Sequence, residues 1–306
     1  MDGDSSAFLS GRFDNNRLDK VGLDKIALDK LGLDKTVDKN GKLKGKKKSV
    51  VLMERDINAL LELYLHRTIS SSQLARLCFP DISYETARKR LRRLQQAGFT
   101  GASSSGRMEG RGRPELIYFL TASGARALEQ TRGISWETIP TGPPHTYHKE
   151  HFLRLVDVRL AMEDAELAGV ITGLEFTTGR EFWKELASDL TEAEEQADAT
   201  ISFAYAGMEP VRVLLEIDTG NFRQTRHWEP KIRAFLRTGY PIWVVTGSSP
   251  RILTLRKWTQ PLLEEAEVGP GKCVFAVYTE IVEKGIYGAQ WQRTDGSFTD
   301  LRPVKL

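Results

Sequence analysis

The segment VRVLLEID, residues 211–218, constrains the fold more than any other stretch of the chain. Its density of Val, Leu and Ile reads as a buried strand. Successive side chains on a strand point to opposite faces. Val211, Val213, Leu215 and Ile217 therefore share one face, and Leu214, Glu216 and Asp218 share the other. Two carboxylates on one face of an apolar strand repel each other and lose hydration, so a cation, a Lys or open solvent has to compensate. Two neighbouring carboxylates are also what a hard divalent metal ion binds.

The elements around this strand can be read in order. TYHKEHFLRLVDVRLAMEDAELAG, from residue 146, predicts a long helix, and VITGLEF and ADATISFAY predict strands before VRVLLEID. EPKIRAFLRTG, from residue 229, predicts a helix with Pro230 in its first turn and Gly239 past its end. YPIWVVTG is a fully apolar strand, SPRILTLRKWTQPLLEEA a helix, and KCVFAVYTEI a further strand. This order, αβββαβ followed by αβ, predicts an α/β domain over residues 145–306, layered around a mixed central sheet. If the two middle strands pair antiparallel, Asp198 meets Glu216 and Asp218 at one sheet edge, with Lys231 close by on the next helix. Carboxylates so placed bind one or two Mg²⁺ ions, which activate water and stabilise charge on a phosphodiester. A neighbouring Lys orients the water or offsets developing negative charge.

Other candidates in this half are weaker. Glu150 reads as a solvated helix residue rather than a further acid. His148 and His151, three residues apart and preceded by His145 at the same spacing, have no Cys nearby in sequence and do not read as a metal site. GSSPR at 247–251 lacks the Lys-Ser/Thr ending of a phosphate loop and reads as a helix start.

Ahead of this domain the pattern differs. MERDINALLELYLHR, SSSQLARLCF and SYETARKRLRRLQQAGF predict three helices, and Ser83 and Gly98 supply the N-cap and the stop of the third. Tyr84, Ala87, Leu91 and Leu94 form its apolar stripe. Arg88, Lys89 and Arg92 lie opposite, with Arg90 and Arg93 on the flanks, so five basic residues fall within 88–93. A recognition helix needs this arrangement, with one face packed and the other offering cations to phosphates and base edges. A Gly/Arg-rich loop with Arg107, Arg111 and Arg113, the strand ELIYFLT and a closing helix ASGARALEQ follow, and the unit resembles a winged helix-turn-helix, expected over 49–130. Residues 131–144 read as a linker. Double-stranded DNA is the partner this half calls for.

Charge follows the same division. Residues 1–48 carry 12 Lys/Arg against 8 Asp/Glu, residues 49–140 carry 13 against 9, and residues 141–306 carry 19 against 24, so a basic front precedes an acidic back. In residues 1–48 LDK recurs at 18, 23, 28 and 33. A five-residue period builds no continuous face on a helix or a strand, which predicts a disordered basic tail. No apolar run is long enough to span a bilayer, and two distant cysteines, Cys78 and Cys273, read as buried thiols in a reducing compartment. A cytoplasmic protein without membrane contact is expected.

The back half resembles the PD-(D/E)XK nuclease superfamily, in which an Asp, a Glu and a Lys lie on an αβββαβ core. Asp198 matches the first acid, with Ala197 where Pro is usual, and Glu216 matches the second. Asp218 stands at the usual Lys position, and Lys231 on the next helix is the candidate replacement. The two halves together resemble the plasmid replication-relaxation family. The matching features are the helix containing His148 and His151, the DA at Asp198, the EIDTG of Glu216, Asp218 and Gly220, then Lys231 and Tyr240, over about residues 53–285. The resemblance implies catalytic roles for Asp198, Glu216, Asp218 and Lys231, with Mg²⁺ on Asp198 and Glu216. An acid in place of the Lys leaves open whether a metal-dependent endonuclease of this type still cuts. Three functions follow: an accessory protein for replication or relaxation of a plasmid or other mobile element, a Mg²⁺-dependent endonuclease or nickase, and a winged-helix transcriptional regulator. A homodimer and replication or mobilisation proteins are the protein partners these functions imply.

Overall fold

The computed structural model describes residues 50–108, 114–178, 197–205, 207–220 and 225–301. The LDK-repeat tail, Arg111 and Arg113 lie outside these residues, and so does the side chain of Arg107.

The front of the chain runs α1 (Glu54–His66), β1 (Ile69–Ser70), α2 (Ser71–Cys78), α3 (Tyr84–Ala97), β2 (Thr100–Met108), β3 (Pro114–Leu120) and α4 (Ala122–Arg132). Local chemistry fixes these boundaries. Ser70 Oγ accepts from Gln73 N–H while Gln73 Oε1 accepts from Ser70 N–H, a capping box that starts α2. Ser83 Oγ accepts from Thr86 N–H at the start of α3, and Gly98 at φ 86° stops it. Ala87, Leu91, Leu94 and Ala97 of α3 are buried where α3 packs on α2 and β2, and the small sheet has the strand order β1-β3-β2 with antiparallel pairing. Burying each leucine contributes roughly 2 kcal/mol.

The back of the chain is a seven-stranded mixed sheet ordered β10-β9-β8-β7-β6-β5-β4. Its strands are β4 (Ile171–Thr178), β5 (Ala199–Tyr205), β6 (Val211–Asp218), β7 (Ile242–Thr246), β8 (Cys273–Val277), β9 (Trp291–Arg293) and β10 (Phe298–Thr299). The pairs β4–β5 and β5–β6 are antiparallel, β6–β7 and β7–β8 parallel, and β8–β9 and β9–β10 antiparallel. α6 (Thr225–Arg237) and α7 (Ser249–Glu265) cover one face, where Leu214, Val244 and Phe275 meet Trp228, Ile232 and Leu255. α5 (Thr146–Leu167) and α8 (Tyr278–Lys284) cover the other, against Leu215, Ile217 and Val245. The chain is thus a mixed α+β protein with eight α-helices among the described residues. Two boundaries differ from expectation. The helix expected from Glu229 begins at Thr225, so Pro230 lies inside α6 and not in its first turn. KCVFAVYTEI is not strand throughout, because it leaves the sheet at Val277 and turns into α8 at Tyr278.

α5 belongs to both halves. Its Val156 and Leu160 sit in the front core with Leu60, Leu74 and Leu91, while Leu155, Val158 and Met162 sit in the back core. A helix buried on two sides shows no single apolar stripe, which is why its sequence looks unpatterned. Polar contacts reinforce the join. Arg159 pairs with Glu62 of α1 at 2.6 Å, and Gln73 Nε2 donates to Leu153 O at 2.8 Å and to Asp157 at 2.7 Å. Asp157 also accepts from the Tyr278 hydroxyl of α8, so one carboxylate ties α2 to the back layer.

Candidate functional site

On α3 the structure separates the five basic residues. Lys89 and Arg93 are exposed, and Arg88 and Arg92 are half-buried at the border of the packed face. Arg90 turns away from solvent. Its guanidinium pairs with Asp56 of α1, which is fully buried, and donates to Val51 O at 2.7 Å. Arg90 therefore anchors α3 to α1 and is not on the exposed flank expected of it. Glu85, one turn before Arg88, reaches its Nε at 3.4 Å across the helix surface, a contact worth little in solvent.

The second cluster forms where β5 begins and β6 ends. Antiparallel register pairs Ala199 with Leu215, and Asp198 N–H donates to Leu215 O at 3.0 Å, so Asp198 lies beside Glu216. Asp198 Oδ2 accepts from Ile217 N–H at 2.7 Å, and its Oδ1 lies 3.1 Å from His151 Nε2 of α5. Glu216 Oε2 lies 2.6 Å from Lys231 Nζ of α6, at ion-pair distance but without a hydrogen-bond angle. Side-chain exposure is 2% for Glu216, 9% for Lys231, 14% for Asp198 and 21% for His151, so the cluster opens to solvent on its Asp198–His151 side.

Burial and mutual charge set the protonation states. Burial, and then the Asp198 carboxylate, push Glu216 up to about 8, against the pull of Lys231. Burial also raises Asp198, but His151, Lys231 and the Ile217 N–H outweigh it and hold that carboxyl below its ordinary value. For His151 burial favours the neutral ring, yet the carboxylates of Asp198 and Glu216 prevail and its pKa is raised.

Asp218 does not join this group. Both its oxygens are held by Arg251 at the start of α7, with Nε at 2.7 Å from Oδ2 and Nη2 at 2.9 Å from Oδ1, and its side chain is fully buried. The expected convergence of three acids is therefore two acids plus a separate bidentate ion pair. Glu150 is exposed and pairs with Arg154 at 2.6 Å, as a solvated helix residue does. His151 is the member that sequence reasoning passed over as a site residue. Its partner Asp198 lies 47 positions away, and only the packing of α5 against the β5–β6 edge brings the two together.

The cluster brings the Asp198 carboxylate and the raised Glu216 carboxyl together with His151 and Lys231. Among the described residues no group of three His, Cys, Asp or Glu side chains is arranged to hold a metal ion. The Asp198 oxygens are taken by His151 and a backbone N–H, and Glu216 faces Lys231, so Mg²⁺ would have to displace both cations. Among the described residues, then, the arrangement does not fit a divalent ion.

A family model described as replication-relaxation matches residues 60–238. The chain belongs to the replication-relaxation family. The match spans α3, His151, Asp198, Glu216, Asp218 and Lys231, and it ends before Arg251. Membership in the replication-relaxation family points to involvement with DNA, in the replication or relaxation of mobile elements. Comparison with curated proteins and with solved structures gives no match. No described helix is long and apolar enough to cross a membrane.

Proposed function

We propose that this replication-relaxation protein is a DNA-binding accessory factor for a plasmid or other mobile element. It grips double-stranded DNA through a winged helix-turn-helix formed by residues 50–132 and carries a PD-(D/E)XK-like domain that does not cut. The observation that carries this reading is α3. One face is sealed in the core by Ala87, Leu91 and Leu94, and the other presents Lys89 and Arg93 with Arg88 and Arg92 beside them. The short turn from α2 to α3 and the β2–β3 hairpin that follows support it, because that order sets a helix in the major groove with a hairpin beside it. The contacts of His151 with Asp198 and of Lys231 with Glu216, and the Arg251 fork on Asp218, support a domain retained for its fold.

A nuclease remains the second reading, favoured by one observation: Asp198, Glu216 and Lys231 do meet in one cluster. Supercoiled plasmid incubated with the protein in Mg²⁺ or Mn²⁺ separates the two. Retarded but intact plasmid is expected. Nicked or linear plasmid with wild type, absent with Asp198→Ala and Glu216→Ala, would establish the nuclease instead.

A further inference from the structure

α3 carries a single acid among its cations. In YETARKRLRRLQQA the sole carboxylate is Glu85, in the first turn. On a helix, residues three or four apart lie on one face, one above the other. With Ala87, Leu91 and Leu94 in the core, Glu85, Lys89, Arg92 and Gln96 form the row opposite them, at steps of four, three and four. Arg88 lies on one flank of that row and Arg93 on the other. Glu85, Lys89 and Gln96 are exposed. The Glu85 carboxylate reaches Arg88 Nε at 3.4 Å, at ion-pair distance but without a hydrogen bond, and stays able to accept one from a ligand.

The first turn of α3 and the outer end of the β2–β3 hairpin both meet the start of α2. Ser71 Oγ lies 3.0 Å from the Tyr84 hydroxyl, and Ser72 N–H donates to Glu115 Oε1 at 2.8 Å, one residue after β3 begins. The end of α3 that stands beside the hairpin is therefore its N-terminal end, the end whose side chains meet base edges when such a helix enters the major groove. A groove about 12 Å wide sets the outermost row of a helix against base edges and its flanks against the phosphate walls. Arg88 and Arg93 on the flanks suit phosphates. A carboxylate is repelled by those walls, but in the outermost row it faces the groove floor, where the exocyclic amine of cytosine is the donor that matches it.

We infer that Glu85 is a base-reading residue of α3, accepting a hydrogen bond from the N4 amine of a cytosine, so that the protein prefers a C·G pair at one position of its DNA site. This role rests on the assignment of α3 to DNA and adds sequence selectivity to it. The selectivity is largely exclusion: the carboxylate opposes binding to every duplex, and a correctly placed cytosine offsets that cost. A carboxylate in a first turn also favours the helix dipole, which bears on stability and not on base preference.

Full-length wild type selects its site from duplex DNA with a randomised core. Wild type, Glu85→Ala, Glu85→Gln and Arg88→Ala/Arg92→Ala are then titrated against that site with each base pair substituted in turn, and over a series of salt concentrations. Circular dichroism checks that each variant keeps its fold. Wild type should favour cytosine at one position by on the order of tenfold. Both Glu85 variants should lose that preference at that position and at no other. They should bind duplexes lacking the cytosine no more weakly than wild type does, because a charge that repels phosphates is gone. A cytosine preference that is absent from wild type, kept by Glu85→Ala, or lost together with the preferences at every other position overturns the inference. Where Glu85→Ala keeps the preference, the salt slope of Arg88→Ala/Arg92→Ala shows which reading fails: a reduced slope leaves α3 on DNA with Glu85 outside base readout, and an unchanged slope takes α3 off DNA altogether.

Discussion

Glu216→Gln isolates the cost of burying a carboxylate on the apolar strand. Glu216 is raised from an ordinary value of 4.5 to about 8, so the folded protein holds its proton over a window in which the unfolded chain has released it. A group raised on folding contributes stability that is complete below its unfolded value and is lost as pH climbs through the folded one. The shift is about 8 − 4.5, or 3.5 units, and at about 1.4 kcal/mol per unit its ceiling is on the order of 5 kcal/mol. Because Lys231 at 2.6 Å compensates part of the ionised form, a loss of a few kcal/mol across the window is the expectation. His151 acts in the same direction, since its pKa is also raised. Urea denaturation at a series of pH values from 4.5 to about 8 measures this directly. Wild-type stability should fall as pH rises, and Glu216→Gln should flatten the fall. Parallel curves for the two proteins would mean that Glu216 is ionised throughout and that Lys231 fully offsets its burial, which would refute the reasoning.

Two further outcomes follow from the packing. Arg251→Ala strands the fully buried Asp218 without its fork and should cost about 3–5 kcal/mol, whereas Arg76→Ala, whose pair with Asp164 is half exposed on both sides, should cost less than about 1 kcal/mol. Equal losses on thermal denaturation would mean that the Arg251 pair is not a buried one in solution. A fragment of residues 50–144 ends before Val156 and Leu160, which the front core uses. At roughly 1.5–3 kcal/mol for each missing side chain, it should melt well below a fragment of residues 50–167, and equal melting temperatures would show that α5 is dispensable to the front half.

The sequence was most informative where a segment's periodicity answers to a single neighbour. The stripe of α3, its Ser83 and Gly98 ends and the two acids of β6 were all visible, because each depends on local geometry. The pairing of Lys231 with Glu216 also followed, since α6 is the next element in the chain. Contacts that depend on a third layer were not visible. His151 meets Asp198 only because α5 crosses the β5–β6 edge, and Asp218 is drawn from the cluster by Arg251, in a stretch that reads as a plain helix start. Arg90 misled for the same reason: its partner Asp56 is 34 residues away, and a charge run alone does not say which of its members turns inward. The junction at 131–144 is a break in composition but not in packing, since α5 is buried in both cores.

The central claim is that the exposed face of α3 holds DNA through its cations. The most direct measurement is the affinity of Arg88→Ala/Arg92→Ala for duplex DNA across a salt series, compared with wild type. The expected result is weaker binding and a slope reduced by roughly 1 for each phosphate contact removed. Wild-type affinity with an unchanged slope would contradict the account.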